Sequence, residues 1–179
     1  MNNEHYLLLE EMFLRLNKGN ILKILDAGSG RTSLDCLISY FDKAMIDAVV
    51  YPGDNRKIVS ASKVESYRIS LKEIDICKGT INEKYDLVLA HLLLGEAIKW
   101  GNSVKNLLDK LLNIDSKYFI IFDFLEDDCI NYNDLEKIFN DNFKTIYKSQ
   151  IAKTNPQVFD TFIGKNYIAY LLEKVNKNT

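Results

Sequence analysis

The sequence has little of the chemistry that builds cross-linked or metal-bound frameworks. Its three cysteines, Cys36, Cys77 and Cys129, lie far apart, form no Cys-x-x-Cys pair, and are joined by only two histidines. So sparse and odd a set specifies neither a disulfide scaffold nor a zinc site, and reads as buried or half-buried thiols in a reducing compartment. Long apolar runs are missing too, since none approaches the roughly 20 residues that span a bilayer. The first residues are polar and acidic, unlike a secretory leader. The expectation is a cytoplasmic protein with no membrane partner.

Charge of one sign does not accumulate either. The net charge is −2, and the lysines are scattered among acids with no stretch of five like charges. Domains that grip a long duplex usually carry a basic face, because phosphate neutralisation supplies most of their affinity. DNA is therefore not an expected partner, whereas a local basic patch could still meet structured RNA.

What is present is ordinary for a globular chain: 179 residues, 47% hydrophobic and 27% charged. That length can bury a real core, and no repeat, linker or low-complexity tract divides it. Residues 1–179 read as one domain, with 1–18 as an N-terminal helix and only the last four residues as a loose tail.

Apolar spacing sets the elements. Glu4 to Asn17 has helical periodicity and is broken by Lys18-Gly19-Asn20. Ile21 to Leu25 reads as a strand, and Thr32 or Ser33 can cap a helix running to about Phe41. Met45 to Tyr51 reads as a strand, Asn55 to Ser66 as a helix, and Tyr67 to Leu71 as a short strand. Tyr85 to Ala90 and Tyr118 to Phe122 are further strands, separated by a helix over Ser103 to Leu112. A helix over Asn133 to Asn140 follows, then two strands, Phe143 to Ile151 and Tyr167 to Val175, around Asn155-Pro156. Alternating strands and helices imply βαβ units and a mainly parallel sheet. Two closing strands without a helix between them imply an antiparallel hairpin at one edge. The expected fold is α/β: a Rossmann-like, doubly wound sheet ending in that hairpin.

The most informative segment is Ile24-Leu25-Asp26-Ala27-Gly28-Ser29-Gly30. It sets two glycines one residue apart at the carboxyl end of the first strand, where open α/β sheets bind ligands. Glycine lets the chain turn tightly and lets a ligand approach the backbone without a Cβ in the way. Asp26 can orient the turn, or reach a ligand amino group directly or through water. The segment is not a phosphate loop, which ends in Gly-Lys-Ser/Thr, and it lacks the third glycine of the dinucleotide fingerprint. A helix start that must meet a pyrophosphate wants that close approach. The turn therefore suits a ligand without phosphate better than NAD, and a tight turn with no ligand is the plain alternative.

On these residues the sequence resembles the class I S-adenosylmethionine (AdoMet) methyltransferases. Asp26-Ala27-Gly28-Ser29-Gly30 matches that family's Asp/Glu-x-Gly-x-Gly motif after the first strand, and Tyr85-Asp86-Leu87-Val88-Leu89-Ala90 is similar to its fourth-strand motif. Glu73-Ile74-Asp75-Ile76 looks like the loop whose acid meets adenine, and the hairpin over Phe143 to Val175 fits the reversed last strand. The resemblance implies AdoMet as cofactor. It would set Gly28, Ser29 and Gly30 under the methionine and ribose portion, Asp26 near the methionine amino group, and Asp75 with Ile76 against adenine. The family's ribose-binding acid ends the second strand, but here the chain runs Val49-Val50-Tyr51-Pro52-Gly53-Asp54 and the acid arrives after a turn. Asp54 is the ribose candidate, with Tyr51 as a substitute lining. Asp54 is equally a good turn residue, and Asp75 equally a solvated loop acid.

A catalytic group is sought at the end of the fourth strand, Ala90-His91-Leu92-Leu93-Leu94-Gly95-Glu96. His91, with the near-neutral pKa usual for histidine, would suit a base, or it would line the pocket or cap the next helix. Glu96 and Trp100 could border a substrate. The Asn-Pro-Pro-aromatic signature of base-amino methyltransferases is absent. Asp123 and the acids Glu126, Asp127 and Asp128 face a cationic substrate or form a solvated loop. The expected activity is methyl transfer to a small-molecule or RNA acceptor, in a homodimer or with a partner subunit. The rival is a non-catalytic, methyltransferase-like AdoMet-binding or scaffolding subunit.

Overall fold

In a computed structural model, residues 3–53, 67–125, 132–140, 142–151 and 166–175 are described. The expected helix over 55–66, Asp54, Glu126 to Asp128, Cys129 and the Asn155-Pro156 turn lie outside these residues.

The elements run α1 (Asn3–Phe13), β1 (Lys23–Ala27), α2 (Arg31–Tyr40), β2 (Met45–Val50), β3 (Ile69–Glu73) and β4 (Tyr85–His91). They continue through α3 (Leu93–Lys99), α4 (Val104–Asn113), β5 (Ser116–Leu125), α5 (Tyr132–Asn140), β6 (Phe143–Ile151) and β7 (Asn166–Lys174). The strands form one sheet in the order β3-β2-β1-β4-β5-β7-β6. The first five are parallel, while β7 runs antiparallel to β5 and β6 antiparallel to β7. The mainly parallel sheet with its closing hairpin stands as expected from the apolar pattern.

The inner strands are apolar on consecutive residues because both faces are covered. Leu25, Ala27, Val88, Ala90, Phe119 and Ile121 point to the side bearing α3, α4 and α5. Ile24, Ile46, Ala48, Leu87, Leu89 and Phe122 point to the other, under α1 and α2. In α1, Leu9, Met12 and Phe13 recur at helical spacing and are buried, as is Leu16 in the turn beyond it, whereas Leu7, and Leu14 after the helix, face outward. Each fully buried leucine or phenylalanine contributes about 1.5–3 kcal/mol, so this two-sided core fixes the strand order.

Polar contacts set the strand starts. Asp86 accepts from the backbone N–H groups of both Leu22 and Lys23 at 2.9 Å, which pins the entry of β1 beside β4. Asp47 accepts from Lys72 Nζ at 2.9 Å and from the Tyr85 hydroxyl at 2.7 Å, joining β2, β3 and β4.

Two local expectations are corrected. The cap of α2 is Gly30, not Thr32 or Ser33, and Ser33 instead reaches back from the first turn to accept from the Gly30 N–H at 3.1 Å. The segment after β4 forms a short helix, α3, which periodicity over only seven residues did not reveal. Among the described residues, no helix is long and apolar enough to cross a membrane.

Candidate cofactor site

Strand order reverses between β1 and β4: β2 and β3 lie on one side of β1, and β4 and β5 on the other. The crevice outside the carboxyl end of β1 is therefore the place this topology offers to a ligand. The chain leaves β1 at Ala27 and turns through Gly28, whose φ of +71° is the left-handed conformation that favours glycine. The Ser29 N–H donates to the Val49 carbonyl of β2 at 2.6 Å, holding the turn against the neighbouring strand.

The two glycines differ in what they face. A Cβ on Gly28 would stand 2.5 Å from Leu93 Cδ1, so the turn packs directly against the start of α3. A Cβ on Gly30 would meet nothing within 4 Å. Gly30 thus leaves open space at the mouth, while Gly28 serves close packing.

Asp26 lies beneath the turn and is fully buried. Its Oδ2 accepts from Ser29 Oγ at 2.6 Å and from Ser33 Oγ at 2.9 Å, and Oδ1 has no hydrogen-bond partner among the described residues. Loss of water raises its pKa to about 7, against which the two serine hydroxyls pull weakly. Asp26 therefore orients the turn through the two serines, and it keeps one acceptor oxygen in reserve.

The loop after β3 carries Asp75 and Ile76. Asp75 Oδ1 accepts from the Cys77 N–H at 3.1 Å, its Oδ2 pairs with Lys78 Nζ at 3.1 Å, and its carbonyl accepts from the Gly79 N–H at 2.6 Å. This is a self-closed turn in which the carboxylate already serves its own loop. Ile76 is buried in the core on the α3 side. Tyr51, one residue past β2, stacks on Trp100 at the end of α3, with ring centroids 4.2 Å apart and planes 20° from parallel.

His91 is the last residue of β4 and is buried beneath α1, not exposed at the strand end. Its Nε2 lies 3.1 Å from Nδ1 of His5, and both rings pack edge-on against Phe122. The expected near-neutral pKa is corrected: burial, helped by the neighbouring His5, pushes His91 down to about 3, and burial alone pushes His5 to about 4. Both rings are neutral at pH 7. The partner His5 was invisible in sequence because it is 86 residues away on another element.

Asp123, two residues before the end of β5, is buried and caps α3, accepting from the Leu94 N–H at 2.6 Å and the Gly95 N–H at 3.4 Å. Between these anchors Leu92 adopts φ +58°, a left-handed conformation that costs a leucine about 1–3 kcal/mol. Leu92 turns the chain sharply from β4 into α3, and this delivers Leu93 onto Gly28. Among the described residues, no group of three His, Cys, Asp or Glu side chains could hold a metal ion.

No protein-family sequence profile matches this chain, and no curated protein matches it either. Solved structures do match by fold. The N-methyltransferase NodS from Bradyrhizobium japonicum WM9, in complex with S-adenosyl-L-homocysteine, aligns with a TM-score of 0.70 at 10% identity, covering 96% of this chain and 86% of NodS. The StiE O-MT aligns at 0.71 and 14% identity, covering 95% of this chain and 74% of that one. The 16S rRNA methylase RmtB aligns at 0.63 and 16% identity, covering 97% and 63%. The chain has the fold of the class I AdoMet-dependent methyltransferases.

Proposed function

We propose that this chain is an AdoMet-dependent methyltransferase, a single cytoplasmic domain that passes a methyl group from AdoMet to a small-molecule or RNA acceptor. The observation that carries the reading is the turn at the switch point. Gly30 leaves it open to a ligand, and the buried Asp26 beneath it has one oxygen without a partner among the described residues. A carboxyl held near neutrality by burial is stabilised in its charged form by a cation brought close, and the ammonium of a methionine moiety is such a cation.

In this reading Gly28, Ser29 and Gly30 carry the methionine and ribose portion, Tyr51 and Asp54 border the ribose, and Asp75 and Ile76 border adenine. When bound, AdoMet would supply a methyl group on a sulfonium, an electrophile open to in-line attack. The chain's part is to hold the acceptor in line and keep water out, and orientation alone can supply much of the rate. A neutral His91 can take a proton, but with a pKa of about 3 it is a weak base, which suits an acceptor that ionises readily. Acceptor recognition falls to the segments after β4 and β5, in a homodimer or with a partner subunit. The free thiols of Cys36 and Cys77 fit a reducing compartment.

A second reading, a non-catalytic AdoMet-binding or scaffolding subunit, is favoured by the burial of His91 and by the packing of Leu93 on Gly28. Calorimetric titration with AdoMet and with NAD separates the possibilities. AdoMet binding in the micromolar range, lost in Gly30→Val, together with S-adenosylhomocysteine production in an acceptor screen, supports the enzyme. Binding with no turnover over a broad screen supports the second reading. A folded protein silent to AdoMet sinks the enzyme and leaves the scaffold, which then predicts a stable partner in pull-down.

A further inference from the structure

We infer that the outer edge of β3 is an interaction surface for a second copy of this chain, the two β3 strands pairing antiparallel about a two-fold axis at Leu71. The inference goes beyond the cofactor reading and stands without it.

β3 closes one end of the sheet, and among the described residues no strand lies beyond it. The direction of its main-chain groups follows from its bonds to β2. The Arg68 carbonyl accepts from the Ile46 N–H at 2.7 Å, and the Ile74 N–H donates to the Val50 carbonyl at 2.9 Å. That direction alternates along a parallel strand. Ser70 and Lys72 therefore also bond toward β2, while Ile69, Leu71 and Glu73 turn their N–H and C=O groups outward. A regular outward row is a template for another strand, and β3 holds a single register with β2 along its whole length. The opposite edge of the sheet is guarded. β6 carries a register shift between Thr145 and Tyr147 and an exposed lysine, Lys144, devices that keep edges from pairing.

The side chains select a copy of the same strand. Leu71 lies on the face that bears α1 and α2, where its neighbour Ile69 packs against the core but Leu71 itself is 48% exposed. A two-fold axis at Leu71 sets this side chain against Leu71 of the second copy and removes both from water. It also sets Ile69 against Glu73 and Ser70 against Lys72, so every outward donor on the strand meets an outward acceptor. An axis at Ser70 instead would set Arg68 opposite Lys72, two like charges, and is disfavoured. The seam lies two strands away from β1, so the crevice of each copy stays open to its ligand. A seam of five residues is small, which puts the dimer among weak, concentration-dependent ones.

Sedimentation of the chain from about 1 µM to about 1 mM, the range of weak association, should show monomer passing to dimer. Leu71→Lys sets two like charges on the axis, and Leu71→Pro removes only an outward N–H. Each should stay monomeric with the circular dichroism of the parent. Cysteine cross-linking reads the register and decides if either variant fails to fold. Leu71→Cys brings two thiols to the axis with Cα atoms about 5.5 Å apart, within disulfide reach, whereas Ser70→Cys leaves them about 7–8 Å apart and out of reach. Under mild oxidation the first should form a covalent dimer, and the second, like the parent, should not. A parent that is monomeric throughout overturns the proposal, as does a dimer that survives in either folded Leu71 variant. Equal cross-linking at the two positions overturns it as well.

Discussion

Leu93 lies against Gly28 so closely that a Cβ on the glycine would stand 2.5 Å from the leucine Cδ1. The first glycine of the turn is therefore a packing residue, joining β1 to the start of α3, and only Gly30 faces open space. The two glycines, one residue apart, answer to different forces.

Substitution separates them. Gly28→Ala must strain a left-handed backbone and displace Leu93, and should cost about 2–4 kcal/mol. Gly30→Ala, at φ −126° with open space around it, should lie within about 0.5 kcal/mol of the parent in urea unfolding while weakening AdoMet binding. Equal destabilisation by the two changes would contradict the packing described for Leu93.

Asp26 predicts a pH dependence of binding. Its folded pKa is about 7, raised from 3.8 by burial. A cationic amino group beside it favours the carboxylate, so affinity for S-adenosylhomocysteine should rise as pH increases through 7. Asp26→Asn should flatten that rise. Isotherms at pH 6 and 8 that do not differ in the parent would argue against Asp26 as the partner of the amino group.

Stability should respond to pH with two opposing signs. Asp26 binds a proton more tightly folded than unfolded, so its contribution is full below about pH 3.8 and is lost as pH rises through about 7. His5 and His91 bind protons less tightly folded than unfolded, with pKa values of about 4 and 3 against 6.5. Their contribution is full above pH 6.5 and is lost as pH falls through those values. Between about 4 and 6.5 the two effects offset one another. In thermal melts, Asp26→Asn should expose a steeper acid loss below pH 6.5, and the double change His5→Leu with His91→Leu should abolish it.

Asp123 holds α3 by the free N–H groups of its second and third residues, Leu94 and Gly95, and Asp123→Ala should cost about 1–3 kcal/mol. Because α3 carries Trp100, the same change should alter tryptophan emission in the free protein. An Asp123→Ala protein with parental stability and emission would show that α3 is held by its apolar face alone.

The division between sequence and tertiary structure follows from the range of the forces involved. Strands such as Leu87 to Ala90 and Phe119 to Phe122 are legible because burial on both faces requires consecutive apolar residues, and each strand satisfies that requirement within its own few positions. The glycine turn is legible for the same local reason, since its shape depends on residues within a few steps. Tertiary structure alone decided what those residues meet. The pairing of His5 with His91 and the capping of α3 by Asp123 join residues 86 and 28–29 positions apart, and no local pattern encodes them. Burial then reversed the chemistry expected of each titratable group, lowering a histidine that sequence would place near neutrality and raising an aspartate toward it. The sequence by itself determined the sheet and the position of its crevice. Which side chains face that crevice, and with what charge, depended on how much water the fold removes from each of them.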